Sequence, residues 1–155
     1  VKHSTSGFLF VLNQATVSWS SKRQPSVALS SCEAEIMAGS EAAKEALHLS
    51  ALARELGLHD ESPLDLHMDN RSAIDVSYNP EHHGRMKHIA RRHFFIRECV
   101  ENHQLRVPFV RTDKNDADFF TKVLPGRKFF PLRNKIMNTA DPELDVPRSR
   151  GGVEG

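Results

Sequence analysis

The chain has 155 residues, a length that suits one domain with a sizeable core. Hydrophobic residues make up 39% and charged residues 26%. No apolar run approaches the roughly 20 residues of a membrane helix, which excludes a helical span. A net charge of +1 with His neutral argues neither for nor against nucleic acid.

Val1-Lys2-His3-Ser4-Thr5 has neither an initiator Met nor an apolar leader, as expected of a piece of something longer. Gly7 to Leu12, then Asn13-Gln14, then Ala15 to Ser20 predict an antiparallel hairpin, rich in β-formers. Ser21-Lys22-Arg23-Gln24-Pro25 reads as a polar turn, and Ser26-Val27-Ala28-Leu29 as a short third strand. Ser30 and Glu33 form a capping box that starts the longest helical pattern, running to Leu56 with Gly57 as its C-terminal cap.

At about 100° per residue, Glu35 shares a stripe with Gly39, Ala42, Ala46, Leu49, Ala53 and Leu56, while Glu33 lies opposite. Glu33 is therefore expected to face water. Glu35 is expected on an apolar, small-residue face, where a carboxylate is costly unless a metal ion or hydrogen bond compensates it. The plainer alternative is an acid reaching solvent at the helix's exposed start. Two cysteines, Cys32 and Cys99, form no CxxC pair. They read as reduced thiols of an intracellular protein, or as small buried hydrophobes.

Leu64 to Asp69 alternates, with Leu64, Leu66 and Met68 on one face, and Asn70 can cap a short helix through Val76. Asp69 ends that strand, where α/β sheets bind ligands, or it makes an Asx turn. A second long helix is expected from about His83 to Asn102, with Met86, Ile89, Phe94, Ile96 and Val100 buried. From His82 to Arg97 the chain is strongly basic, which suits either a phosphate-contacting surface or a solvated helix face. His83, His88 and His93 recur every five residues and scatter around a helix, which argues against zinc.

Leu105 to Val110 reads as a fifth strand, peripheral because of Pro108. Thr112 to Lys122 is a turn and short helix capped by Asn115, with Asp118 at its third position, where an acid is stabilising in its own right. Arg127 to Met137 is amphipathic, and Phe129, Phe130, Leu132 and Ile136 are expected to dock on the core. Residues 138–155 have little to bury and read as a disordered tail after a domain of residues 1–137.

This order is that of an α/β protein, a mixed sheet with helices on its faces. Glu35, Asp69 and Asp118 are well separated in sequence and could converge at one sheet edge. Carboxylates without Cys or His at ligand spacing make a hard-oxygen site for Mg²⁺ or Mn²⁺, suited to two-metal phosphoryl transfer.

Ser4-Thr5-Ser6-Gly7, Val17 to Lys22, Ala28 to Ser31 with Glu33-Ala34-Glu35, Asp69 to Ile74, Lys87-His88-Ile89, His93 to Glu98 and Ala117 to Lys122 carry a further signal. Together, over residues 3 to about 137, they resemble the ribonuclease H domain closing the Pol polyprotein of copia-type LTR retrotransposons. The resemblance implies a ribonuclease H-like fold, a mixed five-stranded sheet flanked by helices. It implies Mg²⁺- or Mn²⁺-dependent endonucleolytic cleavage of the RNA strand of RNA–DNA hybrids, with two ions. Glu35, Asp69 and Asp118 match three of the family's four catalytic and metal-binding acids.

The fourth acid belongs to the first, central strand, which the resemblance places before Ser4-Thr5-Ser6-Gly7. The chain is therefore expected to lack that strand and to be inactive alone. Ala90 also stands where the family has an aspartate. Contacts to the hybrid are implied for Lys22, Arg23, Asn70, Arg71, Arg85 and Lys87. The implied partner is the reverse transcriptase domain of the same polyprotein, and the implied setting a cytoplasmic virus-like particle or the nucleus. The alternative is a catalytically dead nucleic-acid-binding or interaction remnant.

Overall fold

In the computed structural model, residues 3–58, 60–78 and 90–139 are described. Strands β1 (Thr5–Leu12) and β2 (Ala15–Arg23) pair antiparallel, with Leu12 opposite Ala15. Asn13 and Gln14 both take positive φ, 50° and 67°. That is the two-residue turn whose twist matches a hairpin's, and Asn tolerates it well. Phe8 and Phe10 stack edge to face at 5.6 Å and pack on the core cluster. On the same face, Ser18 Oγ donates to Glu45 Oε1 of the following helix at 2.6 Å.

The expected third strand at Ser26 to Leu29 does not form. Pro25 offers no amide to a ladder, and Leu29 is 87% exposed, so the run has no surface to bury against. Gln24 organises this connection instead. Its side chain is buried, and its Nε2 donates to Ser6 Oγ and to the Ala34 carbonyl, both at 2.9 Å.

Helix α1 (Ser31–Glu55) starts at the predicted cap, with Ser30 Oγ accepting from Glu33 N at 3.1 Å. As the capping box predicts, the Glu33 carboxylate reaches back, accepting from the Leu29 amide at 2.6 Å, but it is buried and not solvated as expected. The helix ends with Gly57 at φ 68°, its amide bonded to Arg54 O and that of Leu58 to Ala53 O. This paired closure is the Schellman arrangement that a left-handed glycine permits.

The buried stripe of α1 is also rotated from the predicted one. Gly39, Ala42 and Ala46 of the predicted stripe are buried, but so are Ile36, Ser40, Ala43 and Ser50 to one side of it, whereas Leu56 is exposed and Glu35 is only partly buried, at the edge. Small residues let neighbours close in: a Cβ on Gly39 would meet Met68 Cε at 3.0 Å and Ile96 Cδ1 at 3.3 Å.

Strand β3 (Leu64–Asp65) runs parallel to β4 (Leu105–Arg106), and a Met68–Phe109 bridge continues the pairing. Pro108 contributes its carbonyl, which accepts from Met68 N at 3.1 Å. Leu66 and Met68 are buried as their alternation predicts. Helix α2 (Arg71–Tyr78) is capped by Asn70, whose Oδ1 accepts from Ala73 N at 3.1 Å. Helix α3 (Ala90–Glu101) buries Ile96 and Cys99, while Phe94 is exposed, contrary to expectation, with the Arg97 guanidinium 5.0 Å from its ring centre. The earlier part of that predicted helix and the predicted tail beyond Thr139 lie outside the described residues.

A 3-10 turn (Thr112–Lys114) leads to α4 (Asp118–Thr121) and α5 (Gly126–Met137). Asn115 Oδ1 accepts from Ala117 N, which closes the turn before α4 and leaves Asp118 as the first residue of the helix, not the third. α5 contributes no fully buried residue; Phe129 stacks on Phe119 at 5.1 Å, and Ile136 O accepts from Thr16 Oγ1 at 2.8 Å. It docks on α4 and the hairpin, not on the main core.

The architecture is mixed α/β, with a core of α1 against β3, β4, α2 and α3. It differs from the expected single five-stranded sheet. Among the described residues there are two two-stranded sheets, β1-β2 and β3-β4. Each pairs within itself and leans on α1. α4 is seated directly on β1, because Gly7 has no Cβ: one there would lie 2.6 Å from Thr121 Cγ2 and 2.9 Å from Phe120 Cβ. Gly7→Ala is expected to lower unfolding stability by about 1–3 kcal/mol, measured by urea denaturation, since backbone must shift to relieve the clash.

Candidate active site

The elements of the fold bring three acids toward one place. Glu35 sits one turn inside α1, positioned by the Ser30 cap. Asp69 follows the Met68–Phe109 bridge, immediately before the Asn70 cap of α2. Asp118 opens α4, which is pinned to the hairpin by the Ser21 Oγ to Phe120 O bond of 2.6 Å.

Their proximity is registered in the Glu35 carboxyl group. Burial pushes its pKa up from 4.5 to about 7, and the Asp69 charge adds to the rise. A hydrogen bond between the two side chains and the Asp118 charge push the same way, while a hydrogen bond from the Asp69 backbone opposes them. Near neutrality Glu35 therefore holds a proton part of the time. Such a displaced carboxyl in an acidic cluster marks a candidate functional site.

Asp118 is differently placed. Lys122 Nζ donates to both of its carboxylate oxygens, at 2.8 Å each. Among the described residues, no three His, Cys, Asp or Glu side chains are arranged to grip a metal ion as they stand. The donor chemistry nevertheless suits a hard cation. Three carboxylates hold one of their number partly protonated, and among the described residues no cation pairs with Glu35 or Asp69. A divalent ion would relieve that excess of negative charge.

Of the residues expected to meet nucleic acid, Lys22 and Arg23 are exposed at the end of β2. Asn70 spends its side-chain oxygen on the α2 cap. Arg71 is exposed, its guanidinium 4.6 Å from the centre of the Phe109 ring. Arg85 and Lys87 lie outside the described residues. Sequence reasoning missed the contact of Lys122 with Asp118, although the spacing of four residues in a helical segment was its signal. Neither cysteine fits a nucleophile: burial raises both thiols, and Glu35 and Glu33 raise Cys32 further. A cavity of about 440 Å³ between the hairpin and α5, lined by Leu9, Gln14, Thr16, Asp116 and Lys135 among others, includes none of the three acids in its lining.

The homologues of the chain are retrovirus-related Pol polyproteins of plant transposons, which match most of its length. It is 43% identical over 128 residues, 83% of this chain and 10% of the relative, to the retrovirus-related Pol polyprotein from transposon TNT 1-94 of Nicotiana tabacum. It is 38% identical over 150 residues, 97% of this chain and 10% of the relative, to that from transposon RE2 of Arabidopsis thaliana. A stretch of 53 residues, 34% of this chain and 37% of the relative, is 57% identical to secreted RxLR effector protein 161 of Plasmopara viticola. The chain spans about a tenth of the length of the Pol polyproteins it matches. No family model and no solved structure matches it.

The raised Glu35 pKa gives stability a defined pH dependence. Between 4.5 and about 7 the folded chain keeps a proton that the unfolded chain has lost. Stability therefore falls as pH rises through that window, by on the order of 3 kcal/mol. Glu35→Gln is expected to flatten this slope, so that urea midpoints at acidic and alkaline pH, well apart in the native chain, approach each other in the variant.

Proposed function

We propose that the chain is the ribonuclease H portion of a retroelement Pol polyprotein, cleaving the RNA strand of RNA–DNA hybrids with two Mg²⁺ or Mn²⁺ ions. The observation that carries the reading is the displaced pKa of Glu35 beside Asp69 and Asp118, the three acids that match the family's motifs. The matches to Pol polyproteins of plant transposons support the retroelement setting. The sequence of elements, a hairpin, a long helix, then parallel strands alternating with helices, supports a ribonuclease H-like fold.

In this reading Glu35, Asp69 and Asp118 hold the ions, which when bound activate water and neutralise the leaving oxygen. Glu35 must first give up its proton. The Asp69 backbone bond to Glu35 favours the charged form, and keeps the two groups facing while that happens. Lys22, Arg23 and Arg71, all exposed, track the phosphates, and contacts of this kind are independent of sequence. Arg85 and Lys87 join them by family resemblance. The reverse transcriptase domain of the same polyprotein is the partner that delivers the hybrid, in a cytoplasmic particle or the nucleus.

A second reading, a non-catalytic nucleic-acid-binding or interaction remnant, is favoured by the match to the secreted effector, a segment of this sequence carried in a protein whose name is not that of a Pol polyprotein.

Cleavage of a labelled hybrid in Mg²⁺ separates the two, tested with this chain and with a longer Pol segment reaching upstream of Val1. Cleavage that requires the divalent ion and vanishes in Glu35→Gln is expected. Binding without cleavage in both forms would leave the remnant. For the surface, Arg71→Ala is expected to weaken hybrid binding equally across sequences and to reduce the slope of log affinity against log salt by about one, read by anisotropy at several salt concentrations.

A further inference from the structure

The described residues place one cation on the three acids, and it comes from the chain itself. Lys122 follows the last residue of α4 and lies four positions from Asp118, with Nζ at 2.8 Å from each carboxylate oxygen. The two ends of this pair differ in freedom. The Asp118 side chain is 19% exposed, and its helix is fixed by Gly7 beneath it, by Ser21 on Phe120 O and by Phe119 stacked on Phe129. The Lys122 side chain is 51% exposed and reaches in from solvent on a flexible stem. The carboxylate is built in; the ammonium can leave.

With both Asp118 oxygens engaged by Nζ, the acids are not disposed around an ion, in keeping with the lack of a ready three-ligand grip among the described residues. We infer that Lys122 is a resident counter-ion and positioning residue. It occupies Asp118 while no divalent ion is bound, and surrenders the carboxylate oxygens when one arrives. This rests on the metal-site reading above. It makes Lys122 a competitor of the ion, the reverse of a lysine that steadies Asp118 for it. An ion pair this exposed is weak, so its displacement should cost a competing ion roughly two- to fivefold in affinity.

The test is calorimetric titration of Mn²⁺ into the full chain and its variants, with folding checked by circular dichroism. Lys122→Met is expected to tighten Mn²⁺ binding about two- to fivefold. Lys122→Arg, which keeps the charge and can grip a carboxylate at two points, is expected to leave binding unchanged or weaker. Lys135→Met removes an equal charge held on Asp116 and should have no effect, which separates local competition from net charge. Asp118→Asn should weaken binding. In EDTA, Lys122→Met should lower the melting temperature slightly, because Asp118 then has no cation. Weaker or equal Mn²⁺ binding by Lys122→Met, with the native chain binding normally, would overturn the counter-ion role alone. No Mn²⁺ binding by the native chain, or binding untouched by Asp118→Asn, would overturn the metal-site reading and this inference with it.

Discussion

A carboxyl group held away from water beside two others is the constraint on which the rest of this molecule turns. Burial alone raises the Glu35 pKa, and the charges of Asp69 and Asp118 raise it further, so that the group is poised close to neutrality, at about 7. Each structural feature around it serves that poise. The Ser30 cap fixes where α1 begins, and the small residues of α1 admit Met68 close enough for Asp69, the next residue, to reach across.

The charge problem is met from different directions at its two ends. Asp118 has Lys122, an exposed partner that screens it cheaply. Among the described residues no cation pairs with Glu35 or Asp69, which face each other. That asymmetry follows from position in the fold: α4 lies on the open side of the hairpin, whereas α1 and the end of β3 are packed against the core.

Much of this was legible in the residues. Asn13-Gln14 announced the hairpin turn, Ser30 and Glu33 the cap, and Gly57 the end of α1, since each encodes a local backbone choice. The alternation of Leu64, Leu66 and Met68 gave the correct faces. What failed depended on long-range packing. Ser26 to Leu29 has strand composition but no neighbour to pair with. The capping box foresaw Glu33 folding back, but helical periodicity assigned it to water, whereas the fold-back buries it. Helical spacing placed Glu35 correctly relative to Glu33 on the wheel, but the true buried stripe is centred on Ile36, Ala43 and Ser50, positions that only tertiary contact selects. Convergence of the three acids could be suspected from chemistry and motif, not read from spacing.

The close approach of α4 to β1 at Gly7 ties Asp118 to a different part of the fold from the other two acids. Glu35 and Asp69 ride on the helical core, whereas Asp118 rides on the hairpin, whose attachment to α1 is made by Phe8, Phe10 and the Ser18 to Glu45 bond. The spacing of the three acids therefore depends on how the hairpin is seated: a change at Phe8 or Phe10, neither of which touches an acid of the cluster, would move Asp118 relative to Glu35 and Asp69.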